Sequence, residues 1–460
     1  MYRSLVVFLF IILAAACTAD EVRPAGAPFA PQPAAGRTVY RGFTLIDGGG
    51  APARGGMALI TRGDTIEAVL PATDLSSAML AGARVVDLSG RYLLPGLIDA
   101  HQHLATPPDR VQAEALLRRD LYSGITAVRI MADDLRAIAE LARAARAGEI
   151  AGPDLYFAAI VAGPSFFEDP RTAAVSAGWT PGEAPWAQAI DEGTDLPLAI
   201  ARARGTGASA LKIYANLPPA LVGRLAAEAH RQGLLVWAHG AVFPTAPEQV
   251  IAAGPDVVSH TCYLAYQLSD PPPQSYQQRF PVNQAALQGD DNPVMTRLFR
   301  EMRRRGIILD ATLRVYAEAD RRAAAPGGRP YHCTLDIAAR LTDQARREGV
   351  AIAAGTDGVT ARGDPFPALF EELELLVARA GFTPAEAIRA GTTVNAAALG
   401  RQQQEGAIAP GRLANFLVVA ADPLRDIGNL RTILFTVKRG RRYDRSEFRP
   451  ISPHEMPDDD

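Results

Sequence analysis

Between Gly96 and about residue 400 the chain passes through eight apolar runs of strand length, separated by Ala/Leu/Arg-rich amphipathic stretches. The runs fall near 97–103, 126–132, 154–162, 210–215, 234–239, 256–260, 307–313 and 350–356. Near-continuous apolar strands are buried on both faces, and strands that alternate with amphipathic helices build a parallel sheet. Eight such units predict one α/β domain, a (β/α)8 TIM barrel over residues 96–403, close to the typical length of about 250 residues. A chain of 460 residues that is 48% hydrophobic can fill the core of such a barrel. The flanks have a different rhythm. Short strands with Gly turns run through "TVYRGFTLIDGGG", "GGMALITRGDTIEAVL" and "ARVVDLSGRYLLPG", then return in "GAIAPGRLANFLVVAADPL" and "LRTILFTVKRGRRY". A lone hairpin is marginal in water, so residues 37–95 and 404–446 are expected to join as one small β-sandwich domain. A tail, 447–460, ends in "HEMPDDD", which is expected to fray.

The N-terminus reads "MYRSLVVFLFIILAAACTAD". Its apolar run is shorter than the roughly 20 residues that span a bilayer, and Arg3 precedes it, so residues 1–19 read as an export signal. Small residues before Cys17 resemble a bacterial lipoprotein cleavage box, with Cys17 as the lipidated residue. Ala14 stands where such boxes usually carry Leu, which leaves ordinary signal-peptidase cleavage open. Residues 20–36, rich in Pro, Ala and Gly, read as a flexible tether. The expected location is therefore the periplasm or a membrane surface, reached only through the N-terminal lipid. Cys262 and Cys333 are too few for a disulfide framework, and one bridge between them is left undecided. A net charge of -3 without a basic stripe argues against nucleic acid as a partner.

Of the 47 Lys and Arg residues, only those at 212 and 438 are lysine. Lys212 lies in a buried-looking strand, "SALKIYAN". An amine can lose its proton there and be modified, which a guanidinium effectively cannot. Five further residues occur in the same local context, at or near the end of an apolar run: His101 and His103 in "LIDAHQHL", His239 in "LLVWAHG", His260 in "DVVSH" and Asp357 in "VAIAAGTDG". Two residues apart on a strand, His101 and His103 project the same way. At the carboxyl ends of barrel strands, all six would converge where barrel enzymes place their chemistry. Singly, each has an ordinary structural use, as a core histidine, a helix cap or a snorkelling lysine. Together they offer the imidazole and carboxylate donors that suit zinc or a similar divalent ion. His230, His332 and His454 lie away from strand ends and are set aside. Two long connections, about 163–192 and 263–293, carry Phe166, Phe167, Trp179, Trp186, Tyr263, Tyr266 and Tyr276, and are expected to shape the site. Tyr214, Tyr263 and Arg314 are candidate substrate contacts, Arg314 for a carboxylate.

The stretch from "LIDGGGAPARGGMALI" through "LLPGLIDAHQHL" to "GAIAPGRLANFLVVAADPL" resembles the amidohydrolase superfamily, in its imidazolonepropionase-like and prolidase-like branches. The resemblance implies a metal-dependent hydrolase with two divalent ions, Zn2+ first among the candidates. His101, His103 and Asp357 would hold one ion, His239 and His260 the other, and Lys212, carbamylated by CO2, would bridge both. It further implies cleavage of amide C–N bonds in a small molecule such as a dipeptide, an N-acyl amino acid or a cyclic amide, by metal-activated hydroxide with Asp357 as proton shuttle. Relatives often carry an Arg-Asp pair after strand two, where this chain has Arg129-Ile130, so no substrate contact is carried over there. Alternatives on the same scaffold are a lactone or phosphotriester hydrolase and a non-catalytic surface lipoprotein. Homo-oligomerisation is left open.

Overall fold

The computed structural model describes residues 36–456 except positions 288, 290 and 359. The export signal with Cys17, the tether up to residue 35 and residues 457–460 lie outside the described residues. Eight strands form the barrel: β1 (Leu97–Gln102), β2 (Ile125–Met131), β3 (Asp154–Ala162), β4 (Ala210–Ile213), β5 (Leu235–His239), β6 (Val257–Ser259), β7 (Ile308–Asp310) and β8 (Ile352–Ala353). Each pairs in parallel with the next. Ala100 N donates to Ala354 O at 3.0 Å and Asp357 N to His101 O at 2.9 Å, which brings β8 back to β1 and closes the ring.

The strand sequences explain the barrel's interior. In β3, DLYFAAIVA, every residue is buried, because helices cover one face and the barrel lumen the other. Ile98, Ala100, Ala127, Tyr156, Ala158, Ala210, Trp237, Val257, Ile308 and Ala353 fill the lumen as one apolar cluster. A step of two along a strand returns to the same face. The next inward positions of β4 to β7 are therefore Lys212, His239, Ser259 and Asp310, with Arg129 inward on β2. Apolar packing below gives way to buried polar groups at the carboxyl ends. Helices follow the strands and start on side-chain caps: Asp109 accepts from Gln112 N, Asp134 from Arg136 N, Asn292 from Val294 N and Thr334 from Ile337 N.

The terminal segments build one mixed sheet. Arg37–Leu45, Arg54–Arg62, Thr65–Pro71, Arg84–Asp87 and Tyr92–Pro95 are joined by Phe416–Val419, Ile433–Lys438 and Arg441–Asp444. It encloses its own core of Phe43, Leu45, Met57, Leu59, Leu93, Phe416, Val418 and Phe435. Lys438 ties this sheet to the barrel, donating to Ala145 O and Gly152 O at 2.9 and 2.8 Å and lying 3.0 Å from Asp154.

One expectation needs correction. The stretch "HEMPDDD" does not fray at its start: Glu455 takes a two-point contact from Arg118 at 2.9 and 3.1 Å, and Met456 packs against Ala115. A paired carboxylate and a buried thioether hold the chain there. The bridge left undecided by sequence is present: Cys262 is bonded to Cys333 across 71 residues with both side chains buried. No helix among the described residues is long and apolar enough to cross a membrane.

Candidate active site

The six residues singled out by sequence come together at the carboxyl ends of the strands. Asp357 is the hub. His103 Nε2 lies 3.2 Å and His101 Nε2 3.4 Å from Asp357 Oδ1, and His260 Nδ1 lies 3.7 Å from Oδ2. His101, His260 and Asp357 present ligand atoms within 4.8 Å of one another. The ring of His239 sits 5.0 Å from that of His260. Two of these residues hold non-glycine backbones in the left-handed region, His260 at φ 72° and Asp357 at φ 41°, a conformation that surrounding structure must over-determine. Gly355 lets the strands approach this closely, because a Cβ there would lie 2.2 Å from Asp310 Oδ1 and 2.8 Å from His101 Cβ.

Polar groups around the ligand atoms fix their orientation. Asp310 Oδ2 faces His101 Nδ1 at 2.8 Å, Asp133 Oδ1 faces His103 Nδ1 at 3.3 Å, and Thr312 Oγ1 faces His260 Nδ1 at 3.0 Å. A partner on one ring nitrogen fixes the tautomer and leaves the other free to ligate. Asp310 also accepts from Arg129 at 2.6 Å and from Ser259 at 2.8 Å. Arg129 therefore finds its carboxylate on β7, not beside itself on β2. Asp99 accepts from His101 N, Thr356 N and the Thr356 hydroxyl, tying the β1 and β8 ends together.

The two lysines make an informative pair. Lys438 is satisfied by three oxygens, whereas Lys212 Nζ is buried with no hydrogen-bond partner among the described residues. Burial, reinforced by the Arg129 charge, pushes the Lys212 amine down to about 7 against the pull of Asp310 and Asp357. His239 Nδ1 is likewise buried and unpartnered. Burial pushes His239 well below its ordinary value and His260 down to about 3. These imidazoles are neutral at pH 7, with lone pairs to offer. For Asp357, burial is opposed by the imidazoles of His101, His103 and His260, which together hold its carboxyl well below the usual range.

A cavity of about 350 Å³ opens over the cluster, with His103, His260 and Asp357 among its lining residues. Both long connections supply walls, Phe166, Phe167 and Arg171 from the first and Tyr263 and Tyr276 from the second, and Tyr214 joins them from the end of β4. Tyr214 lies 4.1 Å from the His239 ring and 4.6 Å from Phe166. Arg314 is not on this wall. Its Nε points to Glu371 at 3.4 Å, and its backbone nitrogen donates to Glu372. Arg171, on the cavity wall, and Arg279, which packs over the wall residue Tyr276 at 4.0 Å, come from loops that sequence periodicity does not place. His332, set aside from sequence, is buried with both ring nitrogens unpartnered, 5.1 Å from the Tyr263 ring.

The sequence profile of the Amidohydrolase family matches residues 92–443, most of the chain. The chain belongs to the amidohydrolase family. It is accordingly a hydrolase that acts on C–N bonds. This amidohydrolase is similar in fold to a Xaa-Pro dipeptidase solved with methionine in its active site, at 20% identity and TM-score 0.70, covering 89% of this chain and 100% of the other. It is similar to A. niger ochratoxinase at 22% identity and TM-score 0.70, with 89% and 96% covered. It is similar to molinate hydrolase at 18% and 0.66, with 92% and 98% covered. No curated protein matches the sequence. Members of the family depend on metal, and this chain's residues fit that need: the neutral imidazoles of His239 and His260, the ionised carboxylate of Asp357, and the buried Lys212 Nζ and His239 Nδ1, left without partners among the described residues.

Proposed function

We propose that this amidohydrolase holds two divalent ions and hydrolyses an amide bond in a small molecule such as a dipeptide, an N-acyl amino acid or a cyclic amide. The observation that carries the reading is the Lys212 amine, one of two lysines in an arginine-rich chain, buried without a hydrogen-bond partner among the described residues on the barrel strand next to the one that ends in His239. In this reading His101, His103 and Asp357 would hold one ion, His239 and His260 the other, and Lys212, as a carbamate, would supply oxygen donors to both. Bound zinc-like ions supply Lewis acidity and lower the pKa of water toward about 7.

The chain's own groups do the rest. Asp357 stands at the centre of the cluster, ionised across the working range, and takes the proton of the attacking water. It passes that proton to the departing nitrogen, which must leave as an amine. Asp310, Asp133 and Thr312 keep the histidines oriented, while the aromatic walls exclude bulk water and hold an apolar substrate portion. The neighbours named above as dipeptidase, ochratoxinase and molinate hydrolase favour the C–N reading over a lactone or phosphotriester. We further propose export, with Cys17 as lipid attachment. The buried Cys262–Cys333 bond fits an oxidising compartment.

The test is metal content together with turnover. Zinc-loaded enzyme is expected to carry about two ions per chain and to cleave N-acyl amino acids or dipeptides from a panel that also contains lactones and aryl phosphotriesters. One ion per chain with unmodified Lys212 would overturn the binuclear site, and cleavage confined to lactones or phosphotriesters would overturn the amide reading. For Cys17, labelled fatty acid should be incorporated into wild type and not into Cys17→Ser.

A further inference from the structure

The outer part of the cavity is cationic where the inner part is not. Arg171 lines it, and its guanidinium faces the Tyr276 ring at 5.9 Å. Arg279 lies over the same ring at 4.0 Å and donates to the Tyr276 backbone oxygen at 2.8 Å. Tyr276 in turn stacks on the metal-site ring of His239 at 6.2 Å and 25°. Arg279, Tyr276 and His239 thus form a layered column from the rim to the proposed ions.

The charge balance in this region is uneven. Arg171 is paired with Asp169 through contacts of 2.7 to 3.2 Å. Arg279 has no carboxylate within ion-pair distance among the described residues, and the groups that act on its charge are Tyr263, Tyr276, Tyr331 and Tyr266. Among the described residues Asp357 is the one acidic residue on the cavity wall, and the proposed reaction centre uses it. A half-buried guanidinium without an anion, beside phenol hydroxyls that can donate, is a ready receptor for a planar carboxylate.

We infer that the substrate carries a free carboxylate near the scissile amide, bound at the outer end of the cavity by Arg279 and Arg171 with the Tyr276 and Tyr331 hydroxyls. The inference rests on the amide reading above and narrows it to N-acyl amino acids or dipeptides, which bear such a group, over neutral amides and cyclic amides. The aromatic inner wall of Phe166, Phe167 and Tyr214 then takes the apolar acyl portion. Arg279 acts as a specificity residue and Tyr276 as the spacer that sets its distance from the ions.

Binding of a probe that cannot be cleaved separates this subsite from the chemistry. N-Benzenesulfonyl-L-phenylalanine and its C-terminal carboxamide, titrated calorimetrically into zinc-loaded enzyme, should differ by about 10-fold to 100-fold in favour of the carboxylate. Arg279→Gln should erase most of that preference while leaving carboxamide affinity within a few-fold, and Arg279→Lys should restore part of it. Arg171→Gln should reduce the preference less, because Asp169 already neutralises Arg171. Equal binding of acid and carboxamide by wild type, or equal weakening of both by Arg279→Gln, would overturn the inference. Turnover is scored separately on N-benzoyl-L-phenylalanine and its carboxamide. Selective binding without hydrolysis of either would support the carboxylate subsite and refute the proposed reaction. Hydrolysis of both with equal kcat/KM would overturn the subsite and leave the reaction standing.

Discussion

Asp310→Asn tests how the polar layer inside the barrel supports the site. Asp310 is fully buried, and one of its oxygens serves three groups: Arg129 at 2.6 Å, His101 Nδ1 at 2.8 Å and the Ser259 hydroxyl at 2.8 Å. The Arg129 charge, with the hydrogen bond from His101, outweighs burial and holds the Asp310 carboxyl below its ordinary value. Asparagine keeps the shape and removes the charge, which leaves Arg129 buried with the Ala100 carbonyl, the Ser259 hydroxyl and the Trp237 ring at 4.8 Å. Breaking a buried pair from one side costs about 3–5 kcal/mol. The ring and carbonyl offset part of the loss, so about 3 kcal/mol is expected. Because the folded value of Asp310 is depressed, its contribution is present above the unfolded carboxylate pKa and is lost as pH falls through the folded one. The deficit of Asp310→Asn relative to wild type should therefore be full at pH 7 and shrink in acid. The amide can also present a donor to His101, which disturbs the tautomer, so zinc affinity should fall about 10-fold to 100-fold. Urea unfolding at pH 7 and at pH 3, with a competitive zinc titration, reads both effects. The double variant Arg129→Met/Asp310→Leu removes both charges and should recover most of the stability. A single variant with unchanged midpoint and zinc affinity, or a double variant as unstable as the two singles added, would refute the reasoning.

Three further outcomes follow from the same geometry. Asp357→Asn should lower kcat about 10²-fold to 10⁴-fold and move KM far less, since the lost group handles protons; steady-state kinetics at saturating zinc decides it, and an unchanged kcat would remove Asp357 from its role. The Lys212 amine, pushed down to about 7 by burial, is protonated below that pH and neutral above it, and only the neutral form reacts with CO2. The initial rate of carbamate formation at a fixed concentration of dissolved ¹³CO2, read by NMR during zinc loading, should thus rise by roughly 10-fold from pH 6 to pH 8 and be absent in Lys212→Arg, a flat profile being the contrary result. Closing a loop across 71 residues, the Cys262–Cys333 bond should contribute about 4 kcal/mol. Cys262→Ala/Cys333→Ala should then unfold at lower urea than wild type, and matched midpoints would show that the bond adds nothing.

What could be read from sequence was set by regular geometry. Strands buried on two faces leave an unmistakable apolar run, and period two carries inward positions from one strand to the next, so His101, Lys212, His239 and His260 were legible from their place at strand ends. Asp310 offered the same signal, two residues after Ile308 in "IILDATL", and could have been found by the same rule. Asp133 could not, because it lies past the end of β2, where the chain leaves the strand's geometry and turns to accept from Leu104 N and Ala105 N. The cystine was illegible for a related reason: two cysteines 71 residues apart meet only once both loops are placed.

Arg314 shows the limit most clearly. It follows a barrel strand, as the clustered histidines and Asp357 do, and so had the same claim on the cavity. Thr312 takes a left-handed φ of 52° just before it, and Glu372 caps the new helix by accepting from the backbone nitrogens of Leu313 and Arg314. Arg314 Nε then points to Glu371, and the residue is not part of the cavity wall. In the inferred carboxylate subsite the cations are instead Arg171 and Arg279, which sit on connections with no period to count. The split has a functional logic: strands of fixed geometry hold the ligands for the reaction, while loops free to vary in length and path select what reaches them. Exchanging residues 263–293 for a loop lacking Arg279 should accordingly alter KM and the acid-over-carboxamide preference while leaving the zinc stoichiometry unchanged. A loss of bound zinc in that exchange would show that the second connection belongs to the metal centre and not to specificity.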